Sequence, residues 1–101
     1  MGRGLSMADL QIAHVNECGN YFVIVPVESS FGTQTRVAQE AAIDRMRLAA
    51  MSARLSGTVV PVWEDGDRLV FRAPQRFHSF FRSMSLSLIR SKLNATLTCQ
   101  G

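Results

Sequence analysis

His14 and His78 are the side chains of this sequence that titrate closest to neutrality, and each has the proton affinity of a general base. Covalent catalysis would also need a serine or cysteine within hydrogen-bond reach of the ring and an acid behind it. Neither histidine has such neighbours in a recognised spacing, so no catalytic residue is assigned. Cys18 and Cys99 are the only cysteines, and two widely separated thiols make neither a zinc site nor a disulfide framework. No metal and no cofactor is expected, and the two thiols read as reduced side chains of a cytoplasmic protein.

Two further groups of residues have types suited to binding. The loop Ser29, Ser30, Gly32 and Thr33 lies between a strand-like run and the start of a long helical pattern, where free main-chain N–H groups and the helix dipole favour an anion. A phosphate cradle normally carries more glycine and a following lysine, so capping by Thr33 or Thr35, which stabilises a helix by about 1 kcal/mol, is the simpler role. Phe22, Trp63, Phe71 and Phe77, with His78 beside them, could line an apolar cavity with a few polar groups, the usual make-up of a small-molecule site.

The elements that position these residues follow from periodicity. At 101 residues the chain suits one modest core. Residues 1–7 read as a leader or disordered N-terminus, because Met7 precedes the first patterned residues, and residues 8–101 as a single α+β domain. Leu10, Ile12 and His14 alternate with their neighbours, "ECGNY" supplies turn residues, and "YFVIVPV" follows, giving a hairpin. Thr35 to Leu55 is free of glycine and proline and reads as a helix closed by Gly57. The pair Asp65–Gly66 between "TVVPVW" and "RLVFRA" predicts a second hairpin with a type I′ turn. Pro26 and Pro61 cannot donate to a ladder and mark places where pairing stops.

"FHSFFRSMSLSLIRSKL", residues 77–93, carries two periods at once. Serine alternates with apolar residues from Ser83 to Leu88, as in a strand, yet Phe77, Phe80, Phe81, Met84 and Leu88 fall within about 60° on a helical wheel. Five large groups on one stripe predict one continuous helix packed through its phenylalanines, and "ATLTC" makes a last strand. Without the first strand the order is strand, helix, strand, strand, helix, strand. That order predicts a ferredoxin-like βαββαβ antiparallel sheet with two helices on one face, plus an extra N-terminal strand.

Charge and surplus apolar surface bear on partners. Residues 1–67 hold five arginines against eight acids, whereas residues 68–101 hold six basic groups and no acid. The basic third invites nucleic acid, but "DRLVFRAP" has one aromatic where an RNA-recognition strand alternates several, and the basic residues scatter around the second helix. Nucleic-acid binding is therefore disfavoured. No apolar run approaches the ~20 residues of a membrane span. Both alternating sets of "YFVIVPV" are apolar, so both faces of that strand call for burial. Leu86, Ile89 and Leu93 form a second stripe opposite the phenylalanines, rimmed by Arg82 and Arg90, as protein interfaces are composed. On the first helix Val37, Ala41, Leu48 and Leu55 fall along one line, and Ala38, Ala42, Met46, Ala49 and Ala53 along another. The expectation is a small homodimeric binding domain. The alternative is a small-molecule-binding protein or enzyme of the dimeric ferredoxin-like type with an apolar cavity.

Overall fold

A five-stranded mixed sheet forms the body of the protein in a computed structural model that describes residues 7–17 and 19–100. Strands β1 (Met7–Glu17) and β2 (Asn20–Pro26) make the first hairpin, β3 (Thr58–Asp65) and β4 (Arg68–Phe71) the second, and β5 (Ala95–Gln100) follows last. One long helix, α1 (Arg36–Ser52), connects β2 to β3, while two short ones, α2 (His78–Arg82) and α3 (Leu86–Ser91), lie between β4 and β5. β1 begins at Met7, one residue inside the expected leader; the remainder of the leader and Cys18 fall outside the described residues.

Both hairpins are present, with the second turn differing in type. β3 and β4 are joined by two residues, and only Gly66 of these has positive φ, at 65°. A type I′ turn needs positive φ at both central residues; positive φ at the first alone is the type II′ pattern. Asp67 therefore stays in an ordinary backbone conformation.

The strand order is β4-β3-β2-β1-β5. In the ferredoxin-like order another strand would split β2 from β3, and β5 would lie against β2. Instead β2 pairs directly with β3 in parallel, and its other edge is taken by β1 along Ala13–Glu17. That long strand then offers its first half, Met7–Ile12, to β5. The N-terminal strand is thus an internal member of the sheet and displaces β5 outward.

Helices cover both faces of the sheet, in place of the expected two on one face. Phe22 and Ile24 of β2 pack with Phe77, Phe81, Leu86 and Ile89. The intervening Val23 and Val25, which point the opposite way along a strand, pack with Met46 and Ala50 of α1. The doubly apolar β2 is the physical cause, because a strand with two apolar faces is stable only between two layers. All four of these β2 side chains are buried.

Local signals set the ends of α1. Thr35 is the N-cap, its hydroxyl accepting from the Ala38 N–H at 3.1 Å. At the other end Leu55 N–H donates to Ala50 O and Arg54 N–H to Met51 O, the paired bonds of a Schellman motif. The left-handed residue of that motif is Arg54, at φ 61°, and not a glycine. Gly57, expected as the cap, has a different task. At φ 123° it lies so close to the Tyr21 carbonyl that a Cβ would overlap it.

Residues 77–93 are not one continuous helix. A 3-10 turn (Gln75–Phe77) and α2 end at Ser83, and α3 starts after Ser85. The serines make the break. Ser83 Oγ donates to the Phe80 carbonyl at 2.7 Å, and Ser85 Oγ accepts from Leu88 N–H at 3.1 Å, so each satisfies a main-chain group freed at a helix end. Breaking the helix resets its phase. Leu86 and Ile89 turn into the same core as Phe77 and Phe81, while Leu88, expected inside, is 42% exposed.

Candidate functional site

The expected cavity residues are largely brought together, and they fill the space they enclose. Phe22 meets Phe77 edge-on at 4.8 Å between centroids, and Phe71 meets His78 at 5.2 Å. Phe81 joins both, 5.3 Å from Phe22 and 5.5 Å from Phe71. Trp63 lies on the other face of the sheet, against Phe31 at 5.0 Å and Ile43. The neighbours of Val62 and Trp63 show why: consecutive residues of β3 serve opposite cores.

The expected anion loop is placed among acids. Ser29–Thr33 forms a 3-10 turn in which Thr33 Oγ1 donates to Ser30 O at 2.8 Å. Ser29, Ser30, Gly32 and Thr33 share a recess with Glu64 and Asp65, whose carboxylates oppose an anion there. The hydroxyl-rich stretch serves local turn geometry, and Thr35 does the capping.

The expected interface stripe is also corrected. Leu86 and Ile89 are 7% and 0% exposed within the single chain, and half-buried Leu93 packs on the same cluster. Leu86 and Ile89 are thus engaged in the protein's own core, and only part of Leu93 is left at the surface. Arg82 and Arg90 remain exposed on α2 and α3. Each histidine is held by a main-chain carbonyl: His14 Nε2 lies 2.8 Å from Ser56 O, its ring stacked on Tyr21, and His78 Nε2 lies 2.8 Å from Ala73 O.

Two surface features of α1 emerge instead. Its outward stripe, within about 60° on the helical wheel, carries Val37, Leu48 and Met51 at 79%, 64% and 72% exposure. Ala41 continues the stripe, and Asp44 interrupts it, bound to Arg47 at 2.8 Å. Of the line of alanines, Ala42 and Ala49 pack with Met46 on the core, while Ala38 and Ala53 at its ends are exposed. Leu55, read on the other line, also packs inward, so the two lines divide between core and surface only in their middle.

The second feature is a groove along one flank of α1. A cavity of about 350 Å³ lies among Glu40, Ile43, Arg47, Val59, Arg72 and Pro74. A second of about 430 Å³ adjoins it, sharing Arg47, Thr58 and Val59, and extends past Ala50, Met51 and Leu55. Gln39 organises the upper end. It is the buried polar side chain among the described residues, and its Nε2 donates to Phe31 O at 2.9 Å. Its Oε1 accepts from Arg72 Nη1, and Arg72 Nη2 stands 3.6 Å from Glu40. Arg72 is thereby held extended across the groove. No sequence motif announced this arrangement; the available signal was Pro74, which ends the second hairpin.

Comparison with known proteins gives no match: no family model, no curated protein and no solved structure is significantly similar to the chain. Among the described residues no helix is long and apolar enough to cross a membrane.

Proposed function

We propose that this is a small homodimeric binding domain of the cytoplasm, acting by association and not by catalysis, with the outward stripe of α1 as the subunit contact. The observation that carries this reading is the exposure of Val37, Leu48 and Met51 together on the longest helix. Apolar groups grouped on one face are characteristic of contact surfaces, whereas scattered ones need no explanation. A two-fold axis near Asp44 would lay α1 antiparallel on its copy, with Val37 against Met51 and Leu48 near the middle. In such a pair the same flank of each helix meets across the seam. Glu40 and Arg47 share a flank, so each would face an opposite charge across the two-fold contact, while the two Asp44 carboxylates, each paired with its own Arg47, would meet at the axis.

The alternative, a small-molecule or enzymatic site in an apolar cavity, has less support. The rings proposed to line such a cavity occupy it themselves, and both histidines are committed to main-chain carbonyls.

Leu48→Glu tests the reading. Light scattering over a dilution series should show a dimer for the wild type and a monomer for the variant. Because Leu48 is exposed, the variant's stability should stay within about 0.5 kcal/mol of wild type. A wild type that remains monomeric at high micromolar concentration overturns the proposal.

A further inference from the structure

The groove beside α1 borders a stretch of strand edge that no other strand covers among the described residues. β4 pairs with β3 only from Val62 to Asp65, and the last bond of that ladder runs from Arg72 N–H to Pro61 O at 3.1 Å. Main-chain groups of alternate residues in a strand point to the same side. Since Pro61 directs its carbonyl toward β4, Val59 directs both its N–H and its carbonyl the same way. The opposite set is consistent: Val62 O faces β2, where it accepts from Val27 N–H at 2.8 Å. Pro74 is the residue that would sit opposite Val59 if the antiparallel register continued, and proline has no N–H to offer. Its carbonyl is turned to Phe77 N–H. The ladder therefore stops at Arg72, and Val59 presents an unpaired donor and acceptor to the groove.

We infer that this groove docks an extended, acidic segment of another protein, which adds to the sheet as a strand alongside Val59 and sets a carboxylate between Arg47 and Arg72. Strand addition draws affinity from main-chain hydrogen bonds at an open edge and selectivity from pockets for alternate side chains. Both parts are present. Gly57 to Pro61 offers room for about four extended residues at ~3.3 Å each, and Ile43, Ala50, Met51 and Leu55 give one wall an apolar lining. Charge selects the occupant. Two arginines line the groove against one carboxylate, Glu40. Arg47 also pairs with Asp44 outside the groove, an exposed contact weak enough for a ligand carboxylate to replace. The Gln39 side chain holds the Arg72 guanidinium in place before any ligand arrives. A preorganised cation loses less side-chain freedom on binding than a free one.

The experiment uses amide-resolved NMR on the intact chain with two probes, an acetylated and amidated pentapeptide of alternating valine and glutamate, and the same peptide with lysine replacing glutamate. In the free protein the Val59 amide should exchange rapidly with solvent while that of Val60, which faces β2, is protected. The glutamate peptide should shift the Val59 and Arg72 resonances and slow Val59 exchange. The lysine peptide should bind about tenfold more weakly or not at all, and Arg47→Gln and Arg72→Gln should each weaken the glutamate peptide by about fivefold to tenfold. Methylating the peptide's central nitrogens should abolish protection of Val59.

Equal protection of Val59 and Val60 in the free protein would overturn the open edge itself. No perturbation at millimolar peptide, or equal binding of the two peptides, would overturn the docking site or its charge preference. Arg47 and Met51 border both the groove and the proposed subunit contact, and Leu48→Glu separates the two: unchanged or tighter peptide binding by the monomeric variant supports a site that does not need the dimer. Loss of binding with loss of the dimer would mean that the groove belongs to the subunit contact, and would overturn the claim of an outside partner.

Discussion

The two faces of the sheet are closed in different ways. On one, Phe22, Phe77 and Phe81 meet ring to ring beneath two short helices, and Phe81 and Ile89 are fully buried. On the other, a single helix crosses the sheet, leaving a groove at its flank and an uncovered apolar stripe on its back. Dimensions account for the contrast. Five strands at ~4.8 Å spacing make a surface about 24 Å wide, whereas one helix with its side chains spans ~10–12 Å. The break at Ser83–Ser85 lets α2 and α3 present apolar groups to the sheet in two directions, which a straight rod such as α1 cannot do. The aromatic face is thus closed, and the α1 face is where apolar surface and a groove remain open.

The largest test of this contrast is Phe81→Ala. Removing a fully buried ring from the closed face should cost ~3–5 kcal/mol in denaturant unfolding, a large share of the stability of a domain this size. A loss below about 1 kcal/mol would mean that the rings are loosely packed and that the two faces do not differ as described.

Gly57→Ala comes next and probes the mouth of the groove. The residue combines φ 123° with a main-chain approach to Tyr21 that leaves no space for a methyl group. A cost of about 2–3 kcal/mol is expected, from backbone strain and displacement of the β2–β3 contact. Unfolding midpoints equal to those of the wild type would show that this end of the groove is adaptable.

The smallest effect concerns the rod itself. Thr35→Ala removes the side-chain acceptor for Ala38 N–H and should destabilise the protein by about 1 kcal/mol, with Thr35→Ser recovering most of it. If alanine and serine behave alike, water satisfies the end of α1 and the cap contributes little.

Much of the local structure was legible. The two hairpins and the start of α1 followed from turn residues, capping chemistry and the absence of glycine and proline, with Thr35 one of two caps on offer. The other end of α1 did not, because Arg54 and not Gly57 takes the left-handed position after Ser52. Two signals were present but pointed past the answer. The double apolar face of β2 demanded cover on both sides, yet the familiar strand–helix order suggested helices on one side only. In residues 77–93 both periods were real, and neither described the whole: phenylalanine spacing formed α2, while the serines that mimicked a strand ended one helix and started the next. The wheel that placed Leu86 and Ile89 on an outer stripe assumed an unbroken helix, and one short break moved both into the core.

From the sequence alone came the kinds of element, most of their ends and which residues are apolar enough to seek burial, because turn geometry, capping and side-chain period act over a few residues. Which strand neighbours which was decided only by the tertiary structure. β1 and β5 meet across most of the chain, and β2 has two equivalent apolar faces, so nothing local distinguishes its partners. The groove has the same origin. Val59 belongs to β3, Arg47 and Gln39 to α1 and Arg72 to the segment just after β4. Only the direct pairing of β2 with β3 under α1, together with the end of β4 ahead of Pro74, brings an open strand edge beside two arginines.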